Sequence, residues 1–179
     1  VKDMFNDNEF REKINMSGVN SINWARIICQ IVYYFYAVFK IDKQNISFSV
    51  PTGNFGDIYA GYMAKKMGLP IDRLIIATNE NDILQRVINT GEYKPSTVKP
   101  SLSPSMDIQI SSNFERLLFD ILGRDDKKVV SLMNDLKTKG FFKLDQEAIK
   151  IIKKDFCAVK INDEETLTII KNFNVESKF

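Results

Sequence analysis

A chain of 179 residues is long enough for one compact domain with its own core, and fits one domain better than two. The formal net charge of +2, with lysine and glutamate interspersed, gives no reason to expect nucleic acid as a partner. The sequence has no histidine, which excludes from this chain every Ser-His or Cys-His nucleophile pair and every His-ligated metal site.

The first predicted elements are two helices. A short charged amphipathic helix ends near Asn15, and after a break a second helix runs from Ile22 to about Lys40. The second helix is apolar nearly all round, but it carries enough polar residues to make a membrane span unfavourable. We expect it to be a buried helix of a soluble protein. We likewise expect Cys29 and Cys157 to be buried free thiols, because neither has metal or redox spacing.

The start of this second helix is a candidate anion site. Asn20 and Ser21 are natural caps, and Arg26 lies about one turn further on. Asn23, Arg26 and Gln30 are spaced i, i+3, i+7, so they share a face that is expected to point to a site or a polar network. Arginine suits phosphate or carboxylate through two parallel donors. The alternative is that Arg26 pairs with a structural carboxylate and Asn20 only caps the helix.

A strand, a turn, a helix and a second strand follow. Residues 46–50 alternate as a strand does, residues 58–67 have a helical pattern that Gly68 ends, and residues 73–78 form a second apolar strand. This order predicts a βαβ unit, and therefore a parallel sheet with a right-handed crossover.

The turn inside this unit is the sharpest feature of the sequence. Glycines between a strand and a helix let the backbone approach a ligand, and the free amides of the first helical turn favour an anion, most often phosphate. An ordinary strand-to-helix turn is the alternative. The spacing matches neither the dinucleotide fingerprint nor the P-loop. We refer to these five residues as the glycine turn: Gly53, Asn54, Phe55, Gly56 and Asp57.

Helices are predicted to dominate beyond Thr78. They cover residues 82–89, 112–123, 125–139, 145–155 and 163–173, and a short strand is expected at 156–161. The segment Ser101–Asp107, with small hydroxyl residues around Pro104, is interpreted as a loop entering a helix.

Four ordered segments resemble those of the threonine synthase family. The first is NSINWARI at residues 20–27, followed by Gln30 and the YYF triplet at 33–35. The others are VPTGNFGDI at 50–58, ATNEND at 77–82 and LSPSMDI at 102–108. The similarity extends from about residue 6 to about residue 140.

The resemblance implies an α/β fold with a partial parallel sheet and flanking helices, as in fold-type-II pyridoxal-phosphate enzymes (tryptophan synthase beta-like). Residues 1–79 would be part of the large cofactor-binding domain, and residues 80–179 a mostly helical continuation of it. The implied enzyme is a cytoplasmic carbon–oxygen lyase of threonine biosynthesis, which converts O-phospho-L-homoserine and water to L-threonine and phosphate. The amides of the glycine turn would bind the phosphate of pyridoxal 5'-phosphate, and Asn20, Ser21 and Arg26 would bind the substrate phosphate.

Two segments of the family are missing from this sequence. The Schiff-base lysine belongs to an S-F-K-D-like segment upstream, and a later D-P-H-T-A-like segment faces the cofactor ring; neither occurs here. We therefore expect a fragment that is inactive alone, holds no catalytic residue and no metal, and has the missing halves of its own enzyme as partners. The alternatives are another fold-type-II enzyme, such as an amino-acid dehydratase, or a non-catalytic phosphate-binding module. Neither a membrane nor nucleic acid is expected as a partner.

Overall fold

The computed structural model describes Met4 and residues 7–16, 22–41, 43 and 45–177. Helix α1 (Asn8–Lys13) begins after Asp7, whose side chain accepts a hydrogen bond from the backbone of Phe10 at 3.0 Å. Helix α2 (Trp24–Ile41) begins after Asn23, whose side-chain oxygen accepts from the Ala25 amide at 2.9 Å. The described part of α2 therefore starts two residues later than predicted, with Asn23 accepting at its first turn.

The predicted βαβ unit is confirmed. Strand β1 (Ile46–Pro51) is followed by α3 (Gly56–Lys66) and by β2 (Ile71–Thr78), and the two strands pair in parallel. Apolar residues alternate along β1 and dominate β2, which is the central strand and the more buried of the two. The carboxyl end of β1 leads directly into the glycine turn, which places that turn at the edge where parallel sheets bind ligands.

A long crossover separates β2 from the third strand of the sheet. In chain order it contains α4 (Ile83–Thr90), β3 (Glu92–Tyr93), a 3₁₀ turn (Pro104–Met106), α5 (Phe114–Ile121), α6 (Asp126–Lys139), β4 (Phe142–Lys143) and α7 (Gln146–Asp155). Strand β5 (Phe156–Lys160) then pairs in parallel with β2, giving the sheet order β1-β2-β5, and α8 (Asp163–Ser177) follows. β3 and β4 form a separate antiparallel pair.

Aromatic rings from distant parts of the chain form the centre of the core. Tyr93 of β3 stacks between Phe114 and Phe142, with ring centroids 5.5 and 4.7 Å apart. Phe55 of the glycine turn packs on Phe114 and on Phe156 of β5. The four phenylalanines are all nearly inaccessible to solvent, so the crossover and the sheet share one core with the turn.

The expectation of a buried α2 helix is wrong for this chain. One face packs on α3 through Ile27, Tyr34 and Val38, whereas the opposite face exposes a row of large apolar side chains, with Phe39 73% accessible. Cys29 lies on the exposed part of α2, so the prediction that it is buried is also wrong; Cys157 is half-buried. Within the described ranges, no helix combines the length and apolar character that a membrane crossing requires.

Candidate functional site

A cavity of about 210 Å³ lies where the glycine turn, α2 and the 3₁₀ turn meet. The sequence prediction named six of its lining residues as ligand-binding: Arg26 and the five residues of the glycine turn. The structure therefore brings Arg26, one residue of the anion site predicted on α2, to the same cavity as the glycine turn. The remaining lining residues are Gln30, Pro51, Thr52, Ile58, Ser105 and Met106.

The backbone of the glycine turn is fixed by what surrounds it. A Cβ on Gly53 would lie 2.8 Å from the Ile108 side chain and 3.2 Å from the Ser105 carbonyl, so glycine is needed for close packing. The residue with left-handed backbone angles is Phe55, with φ of 64°. This conformation is uncommon for a bulky residue, and here the buried Phe55 ring holds it.

The carbonyl groups of the turn point towards the protein. The Ser111 hydroxyl donates to the Gly53 carbonyl at 2.7 Å, and both the backbone and the side-chain nitrogen of Asn113 donate to the Asn54 carbonyl, at 3.0 and 2.9 Å. The backbone N–H groups of residues 53–57, in contrast, donate to no other residue in the described ranges. Free amides at a helix N-terminus beside a cavity are an arrangement that favours an anion.

Two of the three polar residues that are predicted to share a face of α2 border the cavity. Arg26 and Gln30 both line the cavity, while Asn23 accepts a hydrogen bond at the start of the helix. The Arg26 guanidinium makes no ion pair within the part of the chain that the structure describes, so the structural-carboxylate alternative gains no support. Asn20 and Ser21 lie outside the described residues.

Within the described part of the chain, Asp57 is the one acidic residue that lines the cavity. It is exposed as a whole, but its carboxylate accepts a hydrogen bond from the buried Tyr34 hydroxyl at 3.2 Å. Partial burial raises the pKa of Asp57 above its ordinary value, and the Tyr34 hydrogen bond opposes this in part. Burial, with the Asp57 charge beside it, raises the pKa of Tyr34, so this hydroxyl stays protonated and donates.

A polar network holds the cavity wall, and the sequence did not reveal it. The Asn79 side-chain nitrogen lies 2.8 Å from both the Ser101 hydroxyl and the Asp107 carboxylate. The Ser101 hydroxyl donates to the same carboxylate at 2.6 Å, and Asn81 adds a further donor at 3.0 Å. The Ser101 hydrogen bond is the main cause of the lowered pKa of Asp107.

This network explains how Ser105 and Met106 reach the cavity. Both belong to the 3₁₀ turn, which lies between Ser101 and Asp107. Because the Ser101 amide donates to the Asp107 carboxylate, the two ends of this segment are held together and the turn between them is fixed. We interpreted the segment as a simple loop. Its SPS pattern and the asparagines after β2 both lie in segments that resemble the family, but neither segment predicts that the two meet.

The lysines of α3 are directed away from the cavity. Lys65 forms an ion pair with Asp155 at 2.7 Å and donates to the Asp72 carbonyl, and Lys66 lies 3.5 Å from Asp120. Neither lines the cavity.

Two curated relatives of this chain are named threonine synthase. No protein-family model matches the sequence. Threonine synthase of Pseudomonas aeruginosa is 49% identical over 172 residues, covering 95% of this chain and 37% of that protein. Threonine synthase of Saccharomyces cerevisiae is 50% identical, covering 96% of this chain and 36% of its own length.

Solved structures agree with this result. The crystal structure of pyridoxal-phosphate-bound threonine synthase from Brucella melitensis matches with a TM-score of 0.95 and 51% identity, over 99% of this chain and 39% of that one. Threonine synthase from Escherichia coli matches with a TM-score of 0.72 and 29% identity, over 97% of this chain and 36% of that one. By sequence and by fold, the chain belongs to the threonine synthase family, and it spans less than two fifths of the length of these relatives.

Proposed function

We propose that this chain carries the phosphate-binding part of a threonine synthase, a pyridoxal-phosphate-dependent carbon–oxygen lyase. The reaction would convert O-phospho-L-homoserine and water to L-threonine and phosphate. The observation that best supports this is the set of free amides in the glycine turn, beside a cavity that Arg26 also lines. Cofactor and substrate each bring a phosphate, so this reaction needs two adjacent sites for anions.

The glycine turn fits the cofactor phosphate. Its amides are unused within the described chain, its carbonyls are satisfied elsewhere, and the N-terminal end of the α3 dipole favours negative charge. Gly53, Asn54, Phe55, Gly56 and Asp57 would hold the phosphate through backbone N–H groups. Pyridoxal phosphate, when bound, supplies the electron sink for chemistry at the amino acid, and these residues supply its position.

Arg26 fits the substrate phosphate. It lies on the face of α2 that borders the cavity, one helical turn before Gln30, and its guanidinium has no competing ion pair within the described ranges. We propose that it binds the substrate phosphate together with Asn20 and Ser21. Because the phosphate leaves as an anion, a fixed guanidinium would stabilise the growing charge as the carbon–oxygen bond breaks.

The proposal for Arg26 predicts a large loss of activity on substitution. In the full-length protein, Arg26→Ala should lower kcat/KM for O-phosphohomoserine on the order of 10- to 100-fold, because a charge-assisted contact to the phosphate is lost. Arg26→Lys should retain part of the activity, since lysine keeps the charge but loses the two parallel donors. Arg73→Ala, at an exposed site on β2, is the control and should be nearly neutral. A change below about threefold for Arg26→Ala would rule out the phosphate contact.

The wider organisation is part of the same proposal. We propose that residues 1–79 belong to the large cofactor-binding domain and that residues 80–179 continue it; β5 joining β2 in one sheet supports this. The lysine that binds the cofactor would come from a portion of the enzyme outside the matched stretch, and so would the residue facing its ring. These portions are the expected partners, with the cytoplasm as location.

A further inference from the structure

Tyr34 is held rigidly between α2, α3 and the sheet. Its ring meets Phe48 of β1 edge-on, with centroids 4.9 Å apart, and only 4% of the residue is accessible. Gly61 of α3 faces the ring so closely that a Cβ there would lie 2.6 Å from the Tyr34 Cε1 atom. The ring therefore has one position, and its hydroxyl is fixed with it.

The fixed hydroxyl reaches the second residue of α3. It lies 3.0 Å from the Asp57 carbonyl and 3.2 Å from the Asp57 carboxylate, where it is a donor to one or both. Asp57 borders the phosphate cavity on one side and, on the other, a mostly apolar groove between α2 and β1 that Tyr34 lines. The carboxylate is thus tied to the groove side.

A carboxylate in the first turn of a helix is attracted to the free amides of that turn and to the positive end of the helix dipole. Asp57 occupies this position in α3, next to the amides that are free for an anion. Left without a partner, its carboxylate would be an internal competitor for the phosphate and would also repel it.

We propose that Tyr34 is a positioning residue that holds the Asp57 carboxylate on the α2 side, and so keeps the amides of the glycine turn free for phosphate. This inference rests on the proposed function, because it assigns a role within the same anion site. It gives a reason for a buried hydroxyl in the contact between α2 and α3, where packing alone needs only a phenylalanine.

The competition of Asp57 for these amides should depend on pH. Besides Tyr34, the titratable or charged residues that line the two spaces beside Asp57 are Arg26 and Tyr33 of α2; β1 and the 3₁₀ turn contribute none. A protonated Asp57 carries no charge and competes weakly for amides. Since burial raises its pKa, the competition should fade as pH is lowered towards the acid range.

Binding of inorganic sulfate tests the inference, because sulfate keeps its charge between about pH 4 and pH 8. The full-length protein, freed of cofactor, is titrated with sulfate by calorimetry and with pyridoxal phosphate by absorbance. Tyr34→Phe keeps the ring and removes the hydroxyl. Tyr34→Phe combined with Asp57→Asn also removes the competing charge. Tyr59→Phe is a matched control, because Tyr59 of α3 donates to Asp120 at 2.9 Å and lines neither space.

We expect Tyr34→Phe to weaken sulfate binding on the order of tenfold near neutral pH, the scale of one charge-assisted hydrogen bond. The loss should shrink as pH falls, and the double variant should recover most of the affinity. Tyr59→Phe should lower thermal stability but leave sulfate affinity unchanged.

A double variant as weak as Tyr34→Phe alone, or a loss that does not change with pH, would overturn the inference and leave Tyr34 a packing residue. Wild-type protein that binds neither sulfate nor pyridoxal phosphate would instead overturn the proposed function, and the inference with it. Normal wild-type binding with an unaffected Tyr34→Phe variant would remove the inference alone.

Discussion

Gly53 has little space for a larger side chain in the candidate site. Replacing it with alanine would bring the new Cβ against the Ile108 side chain and the Ser105 carbonyl, and only the first of these can move easily. The turn must therefore shift, and its amides with it. Hydrogen bonds weaken steeply with such displacements.

Gly53→Ala should accordingly weaken the binding of inorganic phosphate and of pyridoxal phosphate on the order of tenfold, measured by calorimetry on the full-length protein. Gly68→Ala is the control: the site is open and lies after α3, but φ of 102° makes alanine strained there. It should reduce stability and leave phosphate affinity intact. Equal affinity for both variants would show that the turn does not bind the phosphate.

Phe55 shows where residue-level prediction fails. The two glycines of the turn predict a phosphate site there. The left-handed conformation, however, belongs to Phe55, a residue type that rarely adopts it. Its cause is the burial of the ring against Phe114 and Phe156, far along the chain, and no local pattern encodes such contacts.

The 3₁₀ turn is the element whose position depends most on side-chain hydrogen bonds. Asp107 accepts from Ser101, Asn79 and Asn81, and these bonds hold its pKa below the ordinary value. A lowered folded-state pKa means that the carboxylate stabilises the fold above its unfolded pKa of about 3.9. That contribution is lost as pH falls through the folded-state pKa.

Asp107→Asn should therefore lower the free energy of unfolding near neutral pH, and the difference from wild type should shrink below about pH 4. Urea unfolding at a series of pH values measures it. Asp135→Asn is the matched control, because Asp135 pairs with Lys139 in an exposed i, i+4 arrangement on α6 and should have a small effect. A pH-independent difference for Asp107→Asn would contradict the assigned role.

The elements of the βαβ unit were predictable because each has a clear local pattern: alternation in β1, an apolar run in β2 and glycine after α3. The polar network was not, because Asn79 and Asp107 are 28 positions apart and meet only through the fold. The start of α2 was misplaced for a similar reason. Several capping residues are adjacent there, and sequence alone does not choose between them.

At the scale of the whole molecule, the contacts that the structure describes within this chain do not explain why the exposed face of α2 is apolar. It presents Val32, Tyr33, Tyr36 and Phe39, each more than 60% accessible. The relatives are more than twice as long as the matched stretch, so we expect the rest of the enzyme to cover this face.

Tyr36→Lys combined with Phe39→Lys should then lower the Tm of the full-length protein by several degrees, because two charges would be buried without partners. Val130→Lys provides the control, since Val130 of α6 is also exposed but lies outside this face. Differential scanning calorimetry gives the comparison. If the double variant and the control had the same small effect, the face would be open to solvent in the full-length protein as well.

The long crossover between β2 and β5 has a consequence for the order of folding. Strands β1 and β2 pair within one βαβ unit, whereas the contacts that fix the glycine turn wait for the crossover. Ser111 and Asn113 bind its carbonyl groups, and Phe55 packs on Phe114 and on Phe156 of β5. Closing so long a loop is entropically unfavourable, and distant contacts form slowly. We expect β1 and β2 to pair early and the glycine turn to reach its final shape late. A phosphate ligand would therefore recognise only chains that have completed the crossover, and its binding would report that the slowest part of folding is finished.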